Sequence, residues 1–199
     1  NGAIGDNLNV DCMIDVDRRH NIKINHTATH LLHQSLKDVL GDHVNQAGSL
    51  VHPEYLRFDI THPKKISLKE LENIELIVNQ KIGEDITVET SIKSLEEAKK
   101  EGATALFGEK YEDEVRVVTM GKFSKELCGG THVSSTGKIN KFKIKHDKAI
   151  SSGIRRINAI THNEVDLYLK QKSEELGLLK EAEKKKEEEK QNQSILLNN

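Results

Sequence analysis

Two pairs of potential metal ligands constrain the fold of this 199-residue chain more than any other feature. His26 and His30 form one pair, Cys128 and His132 form the other, and three residues separate the members of each pair. One sulfur and three imidazole nitrogens are a ligand set typical of tetrahedral zinc. A fold that brings both pairs to one Zn²⁺ ion must therefore join two segments that lie far apart in the sequence.

The same four residues also have interpretations without a shared metal. A metalloprotease of the HExxH type needs a glutamate after its first histidine as general base, and Thr27 occupies that position. Cys128 could instead be a nucleophile with His132 as its base and the following glycine amides as oxyanion donors, which leaves the other pair unexplained. A surface histidine pair and a structural cysteine would carry no chemistry. We favour the shared zinc ion, because two pairs with this spacing, one with a cysteine beside two glycines, are much stronger evidence than a single pair. No carboxylate beside the motifs offers itself as a general base.

The length suits one sizeable domain plus an appendage, with 35% hydrophobic residues to form its core. No apolar run approaches the roughly 20 residues of a membrane helix, and no leader indicates secretion. The two cysteines do not make a disulfide framework. These features predict a reducing compartment, and we expect the cytoplasm.

The first histidine pair is predicted to lie on an amphipathic helix. Asn25 is a suitable N-cap, the helix runs from His26 to about Leu40, and Gly41 ends it. At about 100° per residue, one apolar stripe contains Ala28, Leu31, Leu32, Ser35, Leu36 and Val39. The opposite side holds the histidines: His26, His30 and His33. We expect the first two to face a cleft and the third to be exposed.

Strands and further helices surround this helix without regular alternation. Weak alternation over 1–18 predicts one or two strands, and the pattern over 48–60 predicts a hairpin. Ser67 and Ser94 each open a capping box, which predicts helices to about 82 and 102. The other predicted elements are strands 86–92, 138–145 and 154–160, a strand pair 103–107 with 115–120, and a helix from 163. We predict an α+β fold in which a largely antiparallel sheet packs with helices around a zinc-containing cleft, with a C-terminal helical tail.

A basic run lies between residues 138 and 156 of a chain whose net charge is -2. Its basic residues are Lys138, Lys141, Lys143, Lys145, Lys148, Arg155 and Arg156, and its one acid is Asp147. The lysines at 141, 143 and 145 alternate, so they share one face of the predicted strand. Such a face suits the phosphates of a nucleic acid, although a merely solvated strand face would show the same pattern.

Six motifs resemble the editing domain of alanyl-tRNA synthetase and occur in the order found in that family. They are Asn25-His-Thr-Ala-Thr-His30-Leu-Leu-His, Gln46-Ala-Gly-Ser-Leu-Val, Leu56-Arg-Phe-Asp, Ala105-Leu-Phe-Gly-Glu-Lys-Tyr111, Glu126-Leu-Cys-Gly-Gly-Thr-His132 and Ser152-Gly-Ile-Arg-Arg-Ile157. The resemblance covers about residues 1–162. It implies the end of a preceding β-barrel in 1–18, the editing domain in 19–162, and a helical linker or the start of a coiled coil in 163–199. It also implies a fragment that lacks the aminoacylation domain.

The resemblance implies hydrolysis of mischarged tRNA(Ala), chiefly Ser-tRNA(Ala) and also Gly-tRNA(Ala). A synthesis site for alanine rejects serine only modestly, so a second, hydrolytic site must accept serine and spare alanine. By resemblance, Thr29 pairs with the serine hydroxyl and Gln46 lies nearby. Zinc is implied at His26, His30, Cys128 and His132. We favour zinc as an electrostatic anchor, with Cys128 as the ligand that could loosen and open a position for water.

The implied partners are the acceptor end of tRNA(Ala) carrying a wrong amino acid and the remaining domains of a synthetase. The catalytic residues predicted from the resemblance are Thr29, Gln46 and Cys128. The predicted tRNA-binding residues are Lys141, Lys143, Lys145, Arg155 and Arg156. For the two arginines, core or salt-bridge roles are equally good interpretations.

Three alternatives remain open at the level of the sequence. A free-standing trans-editing deacylase of the same superfamily would carry the same motifs. The editing domain of threonyl-tRNA synthetase also has both ligand pairs, but typically with arginine and proline where this chain has Gly130 and Thr131. A non-catalytic, zinc-stabilised tRNA-binding module belongs to another class. Metal removal would unfold such a module, whereas an editing site would lose hydrolysis first.

Overall fold

Four α-helices and seven strands form the described part of the chain, residues 11–105 and 111–197 of a computed structural model. The helices are α1 (Val16–Leu40), α2 (Leu68–Gly83), α3 (Leu95–Lys100) and α4 (Asn163–Leu197). The strands are β1 (Gln46–Val51), β2 (Leu56–Thr61), β3 (Val88–Ser94), β4 (Glu114–Met120), β5 (Ser124–Leu127), β6 (Phe142–Ser151) and β7 (Ile154–Thr161). They form two antiparallel sheets, with strand orders β1-β2-β7-β6 and β3-β4-β5. The predicted α+β class with antiparallel strands is confirmed.

Helix α1 is longer than its apolar pattern predicts. It begins at Val16, and the side chain of Asp15 caps it by accepting a hydrogen bond from a backbone amide of the first turn. The predicted start at His26 and the predicted Asn25 cap are therefore wrong, because the polar first turns carry no apolar periodicity. The predicted end is confirmed, since Gly41 follows the helix with φ +111° and bonds back to its last turn.

The strands predicted over 1–18 are not formed in residues 11–18, the part of this segment that the structure describes. Residues 11–15 have no regular structure, and residues 16–18 are the first turn of α1. The side chains of Ile14 and Val16 are exposed, so their alternation does not mark a buried sheet face. Residues 1–10 lie outside the described residues.

Asn25 has a structural role inside α1 rather than at its start. The side chain is buried, and its amide nitrogen donates to the carbonyls of His52 and Pro53 at 2.7 and 3.2 Å. Its amide oxygen accepts a hydrogen bond from the Thr161 hydroxyl at 2.7 Å. These three bonds tie the middle of α1 to the loop after β1 and to the end of β7.

Helix α1 is buried on two sides. The apolar side packs into the main core against α2 and the four-stranded sheet. Core residues from these elements include Ala28, Leu31, Leu32, Leu36, Phe58, Ile74, Val78 and Ile157. The other side faces β5. His33 lies on that side and is 2% exposed, so its predicted exposure is wrong.

The predicted hairpin and both predicted N-caps are confirmed. Strands β1 and β2 pair, β2 pairs with β7, and Ser67 forms a complete capping box with Glu70 at the start of α2. Ser94 caps α3 by accepting a hydrogen bond from the Glu97 amide. These local signals succeed because each depends on residues only a few positions apart.

The second sheet differs from the prediction. Strand β4 pairs with β3 and β5. It does not pair with residues 103–105, the described part of the predicted strand 103–107. Instead, Thr104 forms an isolated parallel bridge with Glu126 of β5; residues 106 and 107 lie outside the described residues. The sequence did not predict β5, because its four residues are too few to establish a period.

The segment between the two sheets also departs from the predicted strand over 138–145. Residues 136–139 form a short 3-10 turn that Asn140 ends with φ +67°, and β6 begins after it. Lys138 therefore lies outside the strand. The predicted helix from residue 163 is confirmed as α4. Among the described residues, no helix is sufficiently long and apolar to cross a membrane.

We predict that Asn25→Ala lowers the free energy of unfolding by about 2–4 kcal/mol, because three buried hydrogen bonds are lost and their partners stay buried. Urea unfolding followed by circular dichroism, with a chelator present, measures the change. The matched control is Asn21→Ala, an exposed asparagine one turn earlier in α1, which should change stability by less than about 0.5 kcal/mol. Equal effects of the two substitutions would contradict the assigned role.

Candidate metal centre

The fold brings the two predicted ligand pairs together. Helix α1 carries His26 and His30 one turn apart, and the loop after β5 carries Cys128 and His132. One ligand atom from each of the four residues lies within 4.8 Å of the others. The Cys128 sulfur is 3.4 Å from Nε2 of both His26 and His132. Zinc bond lengths give a sulfur–nitrogen edge of about 3.5 Å in a tetrahedral site, so these residues could hold a zinc ion.

The orientation of His30 also fits a metal ligand. Its Nδ1 lies 2.7 Å from a carboxylate oxygen of Glu126, so Nδ1 carries a proton and donates it. Its Nε2 is buried and has no hydrogen-bond partner among the described residues. A carboxylate that fixes one imidazole nitrogen and leaves the other for the metal is the usual support of a metal-binding histidine.

Thr27 fixes His132 in the same way through a chain of three bonds. Its hydroxyl donates to the carbonyl of Lys23 at 2.9 Å and accepts from the amide of Val133 at 3.2 Å. Thr27 Oγ1 and His132 Nδ1 are 3.1 Å apart. Since the hydroxyl proton is already used, the imidazole N–H must donate this hydrogen bond and the hydroxyl oxygen must accept it. The lone pair of His132 is therefore on Nε2, the atom that faces Cys128.

Glu126 is a buried carboxylate that the sequence did not reveal as part of the centre. One of its oxygens contacts His30, and the other lies 3.1 Å from Nδ1 of His33. Glu126 therefore lies beside the ligands, but both of its oxygens are occupied by histidines. It supports the ligand helix and does not offer itself as a general base for water. His33 belongs to this supporting network.

The ligand loop is held close to α1 by a glycine and an arginine. A Cβ atom on Gly130 would overlap the His26 ring, whereas one on Gly129 would meet nothing. Gly130 is therefore required for close approach, and neither glycine needs a left-handed backbone. Arg116 on β4 donates to the backbone carbonyls of Cys128, at 3.1 Å, and of Gly130.

The electrostatics favour a metal-binding thiolate. Burial opposes ionisation, but the surrounding imidazoles of His132, His26 and His30 outweigh it and lower the pKa of the Cys128 thiol to about 3. Burial keeps His132 neutral by lowering its pKa to about 4. For His30, burial is outweighed by Glu126 and Cys128, which raise its pKa to about 10. Metal binding would therefore displace a proton from His30.

A small cavity of about 110 Å³ opens beside the ligands. Its wall includes the predicted residues Thr29 and Gln46, together with Ser49 and Phe58. The Thr29 side chain is buried, and its hydroxyl donates to the carbonyl of Asn25 at 2.8 Å. That bond uses its proton, so the Thr29 oxygen can only accept a hydrogen bond from a bound group.

Known proteins resemble this chain over most of its length. The family described as "Threonyl and Alanyl tRNA synthetase second additional domain" matches residues 115–158. The alanine–tRNA ligase of Bacillus anthracis is 54% identical over 181 residues, which are 91% of this chain and 20% of the relative. Alanine–tRNA ligase 1 of Lachnoclostridium phytofermentans is 54% identical over 167 residues, which are 84% of this chain and 19% of the relative. The alanine–tRNA ligase of Clostridioides difficile is 50% identical over 181 residues, which are 91% of this chain and 20% of the relative.

The chain is homologous to a segment of the alanine–tRNA ligases. This confirms the resemblance predicted from the six motifs. The chain spans about a fifth of the length of these relatives. The matched family region contains Cys128, His132 and the supporting Glu126 and Arg116, whereas His26 and the rest of α1 precede it.

The predicted tRNA-binding residues have acidic or aromatic partners. Lys141 pairs with Asp166, Lys143 pairs with Glu75, and Lys145 lies over the ring of Tyr168. Arg155 pairs with Asp147, and Arg156 forms two 2.8 Å bonds to Asp59. The predicted common strand face of the three lysines is wrong, because Lys141 precedes β6 and a bulge between Ile144 and His146 interrupts the alternation at Lys145.

We predict that Gly130→Ala weakens zinc binding by at least about tenfold, because the added methyl group must displace His26. Competition against a colorimetric zinc indicator measures the affinity. Gly129→Ala is the matched control and should bind zinc like the wild type, since a Cβ there meets nothing. Equal losses in the two variants would show that loop flexibility, rather than contact with His26, determines affinity.

We also predict that Cys128 is a thiolate in the metal-free protein throughout pH 5–8. A thiol with a pKa of about 3 is ionised above that pH, so in a Cys12→Ser background the alkylation rate by iodoacetamide should be nearly constant over this range. Free cysteine, with a pKa of about 8.5, should react about tenfold more slowly for each unit below it. Zinc should block the reaction of the protein. A rate that falls with pH as for free cysteine would contradict the assignment.

Proposed function

We propose that this chain hydrolyses the ester bond of mischarged tRNA(Ala), with Ser-tRNA(Ala) as its main substrate and Gly-tRNA(Ala) as a second. The observation that carries the proposal is the position of Thr29 in a small cavity beside the four ligand residues. The homology of the chain to alanine–tRNA ligases supports tRNA(Ala) as the tRNA of the substrate. In the reaction, water adds to the ester carbonyl and the carbon–oxygen bond to the terminal ribose breaks, which releases serine and the free hydroxyl of the tRNA.

Thr29 can select serine because of the direction of its hydrogen bond. The hydroxyl donates to the Asn25 carbonyl, so its oxygen presents lone pairs to the cavity and can accept a hydrogen bond from the serine hydroxyl. Alanine has no such donor and would leave the buried oxygen without a partner. Glycine also lacks this donor, which agrees with its place as the second substrate behind serine.

The other residues of the cavity bind and orient the ester. The side-chain amide of Gln46 can donate a hydrogen bond to the carbonyl oxygen, where negative charge develops in the transition state. A Zn²⁺ ion held by His26, His30, Cys128 and His132 would supply positive charge beside the substrate. Because both oxygens of Glu126 are occupied by His30 and His33, no carboxylate of this network removes the proton of water. We assign the placement of water to the substrate and to backbone amides of the ligand loop.

We predict that the chain hydrolyses Ser-tRNA(Ala) much faster than Ala-tRNA(Ala) and that Thr29→Val removes most of this preference. Valine keeps the shape of threonine but cannot accept a hydrogen bond, so the ratio of kcat/KM for the two substrates should fall by about tenfold or more. Thr29→Ser is the matched control, because it keeps the hydroxyl. Release of radiolabelled amino acid from the two charged tRNAs measures both rates.

Equal rates on the two substrates, or no hydrolysis of either, would contradict editing by this chain. Treatment with a chelator separates the remaining alternatives. A cysteine nucleophile would keep hydrolysing without metal, whereas the proposed site would lose activity while α1 and both sheets stay folded. A zinc-stabilised module without catalysis would unfold and show no hydrolysis in either state.

A further inference from the structure

A second cleft, of about 320 Å³, lies beside His132 and shares no lining residue with the Thr29 cavity. The Thr29 cavity is lined by His26, His30 and Cys128, whereas this cleft is lined by His132. The four candidate ligands therefore line two spaces of different character. The one with Thr29 is small and partly apolar, and the other is wider and open to solvent.

The second cleft is positively charged. Its wall carries Lys23, Arg116 and Lys138, together with His20, and no acidic residue is among its described lining residues. Neither Lys23 nor Lys138 forms an ion pair within the described part of the chain. Arg116 bonds to backbone carbonyls and to the Thr90 hydroxyl rather than to a carboxylate. Lys138 interacts with the charge of Asp85 without forming a salt bridge. The cleft thus combines cations that are outside salt bridges with a candidate metal ligand.

The length of the cleft along α1 suits a chain of anions. His20, Lys23 and Thr27 lie at successive turns of one side of α1, and Thr27 contacts His132. Seven residues of helix extend about 10 Å, which is longer than the roughly 3.4 Å rise of one nucleotide in a stacked strand. Lys138 stands on another wall of the same cleft. A single small anion would not need this length.

We propose that this cleft binds phosphates of the single RNA strand that carries the amino acid, a proposal that rests on the function proposed above. The terminal ribose would lie at the metal centre, the amino acid in the Thr29 cavity, and the preceding phosphates between Lys23 and Lys138. The esterified amino acid has no free carboxylate, so phosphates are the anions that the substrate offers to this cleft. The phosphate path thus follows α1 rather than the predicted face of β6, whose lysines have local partners.

The test uses a fluorescein-labelled single-stranded RNA of five nucleotides and measures binding by anisotropy between 25 and 200 mM salt. Each phosphate contact in a single strand adds about 0.7 to the slope of log affinity against log salt. Lys23→Gln and Lys138→Gln should each weaken binding and make the slope shallower by about 0.7, and the double variant by about 1.4. The bond from Thr27 uses the backbone of Lys23, so its side chain can be replaced without disturbing His132.

Two sets of controls accompany these variants. Lys69→Gln, at an exposed site on α2, should leave affinity and slope unchanged. Lys141→Gln and Lys145→Gln test the rival path over β6. A change of slope in these two, with none in Lys23→Gln and Lys138→Gln, would overturn the proposal, as would absence of RNA binding by the wild type.

Parallel deacylation assays distinguish this proposal from the proposed function. Hydrolysis of Ser-tRNA(Ala) with an unchanged KM in Lys23→Gln and Lys138→Gln would overturn the cleft and leave editing intact. A reduced salt slope in these variants, without hydrolysis by the wild type, would support the cleft and contradict editing. If both proposals hold, the two variants should raise KM at high salt while kcat stays near that of the wild type.

Discussion

The carboxylate of Glu126 is the interaction on which the rest of the centre depends. It is buried between α1 and β5, and its two oxygens are shared between His30 and His33. A buried carboxylate is stable only when its oxygens are paired, and these histidines lower its pKa below the usual range despite burial. Rotation of α1 about its axis would separate both pairs at once. The carboxylate therefore fixes the face of the helix that the ligands and Thr29 share.

Sequence patterns predict that the four candidate ligands come together but do not predict their supports, for a physical reason. His26 and His30 are separated by one helical turn, so their common face follows from local geometry. Glu126, Thr27 and Arg116 act through contacts made only after the chain has folded, and nothing in their sequence spacing indicates those contacts. The threonine at position 27 excludes a metalloprotease of the HExxH type, but the sequence does not reveal that its side chain orients His132. The caps at Ser67 and Ser94 were predicted because each begins a capping-box pattern that joins residues three positions apart.

The basic run between residues 138 and 156 shows a related limit. Counting charges along the sequence does not reveal acidic partners that come from distant elements. Glu75 is 68 residues from Lys143, and Asp59 is 97 residues from Arg156. Conversely, Lys23 and Lys138 belong to different segments and line one cleft only because the fold brings α1 and the 3-10 turn together. A charge is available to a ligand according to its neighbours in the fold.

The separation of the two ligand pairs in the chain has a consequence for how the protein is made. Synthesis proceeds from the N-terminus, so His26 and His30 leave the ribosome about a hundred residues before Cys128 and His132. Until β4 and β5 have been made and have docked on α1, only half of the candidate ligands are in place for a metal. Tight uptake of a metal at this site would therefore be a late event that follows the docking of β4 and β5. A bound ion would then report that two segments made at different times have joined correctly.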